Sequence, residues 1–199
     1  MRTLVFDVST NVMFVGYIRN EILVDFSIRI AVRDHAKYLV DRIDELLKRN
    51  KLTIDKIDEI IIGIGPGSYT GTRIAVMVGK MLSLSKNIPL KKISSLLLMT
   101  SGYEGKICSC YDARRGYVFA LIHNNKEIIL NDMYISLEEL KKLQEYKDAN
   151  TIFVNDRNYL VNPITVLKNA KLVEDIHGLE PNYLRKTEAE NNLWLEKQN

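Results

Sequence analysis

Over its first hundred residues this chain changes hydrophobic period in an order that few folds accommodate. Residues 4–7, 12–18 and 21–30 read as strands separated by the corners Ser9-Thr10-Asn11 and Arg19-Asn20. In the third, Ile22, Val24, Phe26, Ile28 and Ile30 alternate with polar neighbours, the period of two that marks a strand. Three short strands on tight turns make an antiparallel meander. The period then lengthens: Leu39, Val40, Ile43, Leu46 and Leu47 recur at helical spacing, which predicts a helix over 35–49, capped by Asp34. The run Ile60-Ile61-Ile62 predicts a buried strand over 59–65. A glycine-rich corner follows, then a helix over 69–85 and a strand over 89–93. Strand, helix, strand, helix, strand implies right-handed parallel crossovers added to the meander.

The second half begins the same order again. Residues 107–111, 117–123 and 127–135 read as strands, with turns at Arg114-Arg115-Gly116 and Asn124-Asn125. Ser136-Leu137-Glu138-Glu139 fits a capping box that opens a helix toward Tyr146, and 151–154 reads as a strand. Asp7 and Asp112 stand at the end of the first strand of each half. The expected fold is therefore α/β and two-lobed, of the actin-like, ribonuclease-H-like class that includes sugar kinases and Hsp70. Each lobe is a three-stranded meander plus βαβ crossovers, and the second lobe is reduced. The lobes are expected at 1–102 and 103–199, with the boundary near Gly102 to Gly105. Past Asn155 the pattern weakens: Asn162-Pro163 is read as an interruption of any helix, and the tail after Lys186 is polar apart from Leu193, Trp194 and Leu195.

With 199 residues and 46% hydrophobic composition there is material for one large core or two small ones. Asp7 interrupts the only apolar run at the N-terminus, and no stretch approaches the ~20 apolar residues that span a bilayer, so the expected location is the cytosol. Cys108 and Cys110, two apart on a strand, point the same way and read as buried thiols rather than a disulfide.

The stretch Gly63-Ile64-Gly65-Pro66-Gly67-Ser68-Tyr69-Thr70-Gly71-Thr72-Arg73 offers backbone amides at a helix N-terminus, a setting that suits an anion. Its spacing fits neither a Walker A loop, whose lysine is missing, nor G-x-G-x-x-G, since Thr70 stands at the sixth position from Gly65. Two readings stay open: a phosphate-facing loop with Asp7, Ser9, Thr10, Gly65, Gly67, Ser68 and Thr70, or a structural turn whose glycines relieve crowding. Behind it, Gly71, Ala75, Gly79 and Ser83 form a strip of small residues, and Ile74, Met77, Val78, Met81 and Leu82 a broad apolar arc. A helix with so little polar surface is covered on more than one side, by the sheet and by either a neighbouring helix or a partner protein.

The segment Gly65-Pro66-Gly67-Ser68-Tyr69-Thr70-Gly71-Thr72-Arg73-Ile74 resembles the hallmark of the TsaB family, also called YeaZ, which usually reads Gly-Pro-Gly-Ser-Phe-Thr-Gly-Leu-Arg-Ile there. Phe6-Asp7-Val8-Ser9-Thr10, the helix start at His35, Ile93-Ser94-Ser95-Leu96, Asp112-Ala113-Arg114-Arg115 and Pro181-Asn182-Tyr183-Leu184-Arg185 resemble its other landmarks in order. Val8 and Thr72 depart from the family's threonine and leucine. The resemblance implies a non-catalytic subunit of the bacterial machinery that forms N6-threonylcarbamoyladenosine beside the anticodon of tRNAs reading codons that begin with adenosine. It implies docking on a TsaD transferase, with a TsaE ATPase as an associated partner and tRNA met through the complex. It also implies a homodimer when the chain is alone. ATP or ADP and a metal would reside in the partner subunits, with no cofactor in this chain. The interface it implies lies on the first-lobe helices, through Leu39, Ile43, Arg73, Ala75, Val76, Gly79, Lys80 and Ser83.

The residues themselves argue against independent chemistry. His35, His123 and His177 are far apart, so no metal site is expected, and the fourth strand carries no carboxylate at the end where a ribonuclease-H-like nuclease would hold divalent ions. A sugar kinase of this class turns its first hairpin with a glycine, whereas Asp7-Val8-Ser9-Thr10 has none, so Asp7 is expected to cap its own turn. An ATP-dependent small-molecule kinase or ATPase remains the alternative. The formal charge of +3 divides into +5 over residues 1–100 and −2 beyond. Lys91-Lys92 and Arg114-Arg115 are the basic pairs that could meet tRNA phosphates; no aromatic series accompanies them in sequence, so autonomous RNA recognition is not expected.

Overall fold

A computed structural model describes residues 1–30 and 35–185; the side chains of His35 and Ala36 are not described. The expected Asp34 cap and the tail from Lys186 onward therefore lie outside the described residues.

Strands β1 (Arg2–Asp7), β2 (Val12–Arg19) and β3 (Ile22–Ile30) form the antiparallel meander. Helix α1 (His35–Arg49) leads to β4 (Glu59–Gly63), which pairs parallel with β1, and α2 (Tyr69–Lys86) leads to β5 (Leu90–Ile93), parallel to β4. The second sheet repeats the plan. Strands β6 (Lys106–Asp112), β7 (Tyr117–Asn124) and β8 (Glu127–Ser136) are antiparallel, and β9 (Asn150–Phe153) lies parallel to β6. With β10 (Lys171–Leu172) at one edge, the sheets run β10-β5-β4-β1-β2-β3 and β8-β7-β6-β9.

Helix α3 (Ser95–Thr100), which periodicity does not announce, lies between the two sheets with every residue buried. Leu96, Leu97, Leu98 and Met99 pack with Val5, Ile61 and Leu121, so the helix has no solvent face to give it a polar stripe. A polar thread joins it to the second sheet: Thr100 Oγ1 lies 2.5 Å from Ser109 Oγ and 3.2 Å from His123 Nε2. On the other face of the first sheet α1 and α2 cover a core of Leu4, Phe6, Ile60 and Ile62, and the outer face of the second sheet packs Cys108, Cys110, Ile122 and Leu140. The two thiols are free and buried with their sulfurs 3.6 Å apart.

Four departures from expectation have physical causes. The helix opened by Ser136 is capped as expected, the hydroxyl accepting the Glu139 amide at 3.2 Å, but α4 (Leu137–Leu140) lasts one turn, with Leu140 buried and Leu137, Leu143 and Tyr146 packed at the edge of the same core. The Asn162-Pro163 pair starts a helix instead of stopping one: Asn162 Oδ1 accepts the Thr165 amide at 3.1 Å, and proline stands at the first turn of α5 (Pro163–Asn169), where its missing donor costs nothing. The chain assigned to the second lobe then returns to the first: β10 (Lys171–Leu172) is its edge strand, and Val173 and Leu179 enter its core. Finally, the apolar residues of β3 face solvent, from Ile28 at 44% to Ile22 at 66% exposed, while the alternate set is engaged by α1: Asp25 accepts from Arg49 Nε at 3.1 Å and Arg29 lies over the Tyr38 ring.

Candidate functional site

The first hairpin and the glycine corner meet at the carboxyl ends of β1 and β4, where open α/β sheets place ligands. Asp7 ends β1 fully buried. Its Oδ1 accepts the Ser9 amide at 3.0 Å and the Ser9 hydroxyl at 2.8 Å, and Tyr159 lies at 3.5 Å; Ser95 Oγ donates to Oδ2. Asp7 thus caps its own turn. Burial pushes its carboxyl above the ordinary aspartate range, opposed by the bonds from Ser95, Ser9 and Tyr159. Asp112 repeats the device, accepting the Arg114 amide at 2.8 Å.

The corner closes onto this hairpin backbone to backbone. A Cβ built on Gly71 would stand 1.9 Å from the Val8 carbonyl oxygen, one on Gly67 2.3 Å from that of Ser9, and one on Gly63 1.9 Å from Asp7 Oδ2. Three amides of the corner already have acceptors: Gly65 N donates to Ser95 Oγ at 2.8 Å, Ser68 N to the Ser9 carbonyl at 2.6 Å, and Gly71 N to Ser68 Oγ at 3.3 Å. The structure therefore brings Asp7, Ser9, Thr10, Gly65 and Gly67 together as a packed junction, with Ser68 and Thr70 at its exposed rim. These contacts fit the structural-turn reading of the corner, in which its glycines relieve crowding against the hairpin. Among the described residues no cluster of His, Cys, Asp and Glu side chains is arranged to hold a metal, and no helix is long and apolar enough to cross a membrane.

A strap crosses the mouth of the cleft. Asn182 N donates to the Ile64 carbonyl at 2.8 Å in the first lobe, while its Nδ2 donates to Asp132 Oδ2 at 3.0 Å on β8. Ser94 Oγ reaches the same carboxylate at 2.6 Å. Burial pushes Asp132 up to about 6 against the pull of these two bonds. Because the folded value lies above the ordinary ~3.9, folding takes up a proton here. The contribution of this carboxyl to stability is complete below about pH 4 and is lost as pH rises through about 6. Asp132→Asn should therefore flatten the rise in stability that wild type gains between pH 6.5 and 4, checked by urea midpoints at each pH; an unchanged slope would show that Asp132 does not titrate there.

The interface expected on the first-lobe helices needs redrawing. Leu39, Ile43, Ala75, Val76 and Ser83 are at most 4% exposed, and Gly79 faces Ile62 and Leu90. The small strip lets α2 approach its own sheet: Gly71 meets Val8, and Ser83 Oγ donates to the Ile88 carbonyl at 2.6 Å. Of the eight residues only Arg73 is exposed; Lys80, half-buried, donates to the His177 carbonyl at 2.7 Å. The outward stripe is instead Met77, Met81 and Leu84, with Val40 exposed on the adjoining α1, and Met77 is 70% exposed. The expected interface turned the small strip toward a partner, whereas it faces the sheet; of the expected apolar arc, Met77 and Met81 face outward.

A second exposed feature joins residues distant in sequence. Arg73 stacks its guanidinium 4.1 Å from the Tyr69 ring and donates from Nε to Tyr183 OH at 2.6 Å. Two residues on, Arg185 donates to the Ala113 carbonyl at 3.3 Å and lies 6.0 Å over Tyr134, which stacks on Tyr117 at 4.8 Å. The Arg114-Arg115 turn thus has aromatic company after all, supplied by β8 and the returning chain.

Two meander-and-crossover lobes, tied across a cleft that the first hairpin and the glycine corner fill, define a reduced member of the actin-like, ribonuclease-H-like class. The model of the family "TsaD: tRNA N6-adenosine threonylcarbamoyltransferase" matches residues 28–169. The chain is 26% identical to the Bacillus subtilis tRNA threonylcarbamoyladenosine biosynthesis protein TsaB, the match covering 100% of both chains. It is 27% identical to the Escherichia coli protein of that name over 60% of this chain and 53% of the other. Among solved structures, an uncharacterised protein with similarity to peptidase YeaZ from Pseudomonas aeruginosa superposes with a TM-score of 0.75 at 20% identity, covering 92% and 99% of the two chains. YeaZ from Pseudomonas aeruginosa gives 0.62 at 24% identity, covering 68% and 67%. The chain belongs to the family that this model describes, within its TsaB (YeaZ) branch.

Proposed function

We propose that this chain is a non-catalytic subunit in the formation of N6-threonylcarbamoyladenosine beside the anticodon of tRNAs that read codons beginning with adenosine. It binds and activates a TsaD-family transferase through the outer face of α1 and α2. Family membership supports the pathway. The observation that carries the non-catalytic role is the filled corner: Val8 and Ser9 carbonyls occupy the space beside Gly71 and Gly67 that a nucleotide phosphate would need. The stripe Met77, Met81 and Leu84, apolar and turned to solvent, supports docking, since such a face is stabilised by burial against a partner. ATP or ADP and a metal belong in this reading to the transferase and to a TsaE-family ATPase, and tRNA is met in the complex.

Reconstitution tests it directly. Transferase, ATPase, tRNA and threonylcarbamoyl adenylate are incubated with and without the chain, and the modified adenosine is read by mass spectrometry. Product should depend on the chain; equal product in its absence sinks the proposal, and ATP turnover by the chain alone would favour the kinase or ATPase alternative.

A further inference from the structure

We propose that the ridge running from Arg73 and Tyr183 through Arg185 to Tyr117 and the Arg114-Arg115 turn is a platform for single-stranded RNA. This rests on the tRNA reading above and adds the surface that would meet the nucleic acid. Guanidinium groups pair with phosphate oxygens, and tyrosine faces accept unstacked bases, the combination by which proteins hold RNA loops rather than duplexes. The fold builds that combination from four places in the chain. Tyr183 is tied to Arg73 and Tyr69, and Arg185 to Tyr134 and Ala113. The two are only two residues apart, so their backbones lie within about 7 Å and the chain sets the two clusters side by side.

The ridge is ordered before any ligand arrives, which removes an entropy cost from binding. Tyr117 and Tyr134 stack at 10° between ring planes, and Tyr117 is the exposed member of the pair. Arg114 and Arg115 both take left-handed backbone conformations, at φ of 66° and 56°, in a turn fixed by Asp112. Asp112 spends one carboxylate oxygen on the Arg114 amide, Asp132 is held inside by Ser94 and Asn182, and of the exposed Glu138 and Glu139 beside the turn, Glu139 accepts the Ser136 hydroxyl.

The test is fluorescence anisotropy with the full chain and a labelled anticodon stem–loop RNA, titrated from about 50 mM salt upward. Binding should weaken with salt, and Arg114→Asn with Arg115→Asn, a change the left-handed turn tolerates, should reduce the salt slope by about 1.4, or ~0.7 per phosphate contact. Tyr117→Ala should weaken binding about tenfold, the scale of one lost stacking contact, and Tyr117→Phe should restore it. Absence of binding by wild type, equal binding by these variants, or variants that lose the transferase while keeping RNA affinity would each overturn the platform; the last would make the ridge a protein surface. A chain altered at Met77 and Met81 separates the two ideas: it should still bind the stem–loop after losing its protein partner.

Discussion

Gly71→Ala is expected to lower the melting temperature by about 8 °C, although alanine is the better helix former by about 1 kcal/mol. Gly71 lies in the first turn of α2, and its new methyl group would stand 1.9 Å from the Val8 carbonyl oxygen. A side chain in the way could rotate, but a carbonyl in the first hairpin moves only with β1 and β2. Overpacking of this kind costs about 3 kcal/mol, and at this chain length each kcal/mol is worth about 2–4 °C. Gly116→Ala is the control. Its backbone is left-handed at φ 79°, yet nothing lies within 4 Å of the new Cβ, so only the conformational strain of about 1 kcal/mol remains. Thermal unfolding followed by circular dichroism reads both, and equal melting of Gly71→Ala and wild type would mean that corner and hairpin are not packed as described.

The second large effect is on assembly. Met77→Glu with Met81→Glu places two charges on exposed positions one turn apart, so the chain should fold normally while co-elution with the transferase is lost, at least a hundredfold in affinity. Unchanged co-elution would remove the outer face of α2 from the interface. Gly79→Leu makes the opposite contrast. A Cβ there already meets Ile62 and Leu90 atoms at 3.0 to 3.4 Å, so leucine should destabilise the isolated chain before any partner is added.

Long helices and strands were legible through their period or through apolar runs bounded by turns: α1 spans the expected 35–49, α2 extends the expected 69–85 by one residue, and Ile60-Ile61-Ile62 marked the fully buried β4. Short buried elements were not. Helix α3 is buried on all sides, so Leu96 to Met99 carry no period, and β10 is two residues long. For the candidate site, the sequence marked Asp7 as a turn cap, and its oxygen does accept the Ser9 amide. The small strip was found but expected on the partner side, because periodicity locates a stripe around the helix axis and cannot tell sheet from partner. The Arg–Tyr ridge was invisible for a different reason: Arg73 and Tyr183 are 110 positions apart, and only the fold supplies their contact.

The strap has a consequence for how the protein is made. The first sheet needs β10 beside β5, its core needs Val173 and Leu179, and the glycine corner is latched by the Asn182 amide on the Ile64 carbonyl. Those residues leave the ribosome about a hundred positions after β4 and α2 have emerged. The N-terminal lobe, complete in its first strands long before, thus waits unfinished through much of translation, and α1 and α2 reach their final footing only when the returning chain arrives.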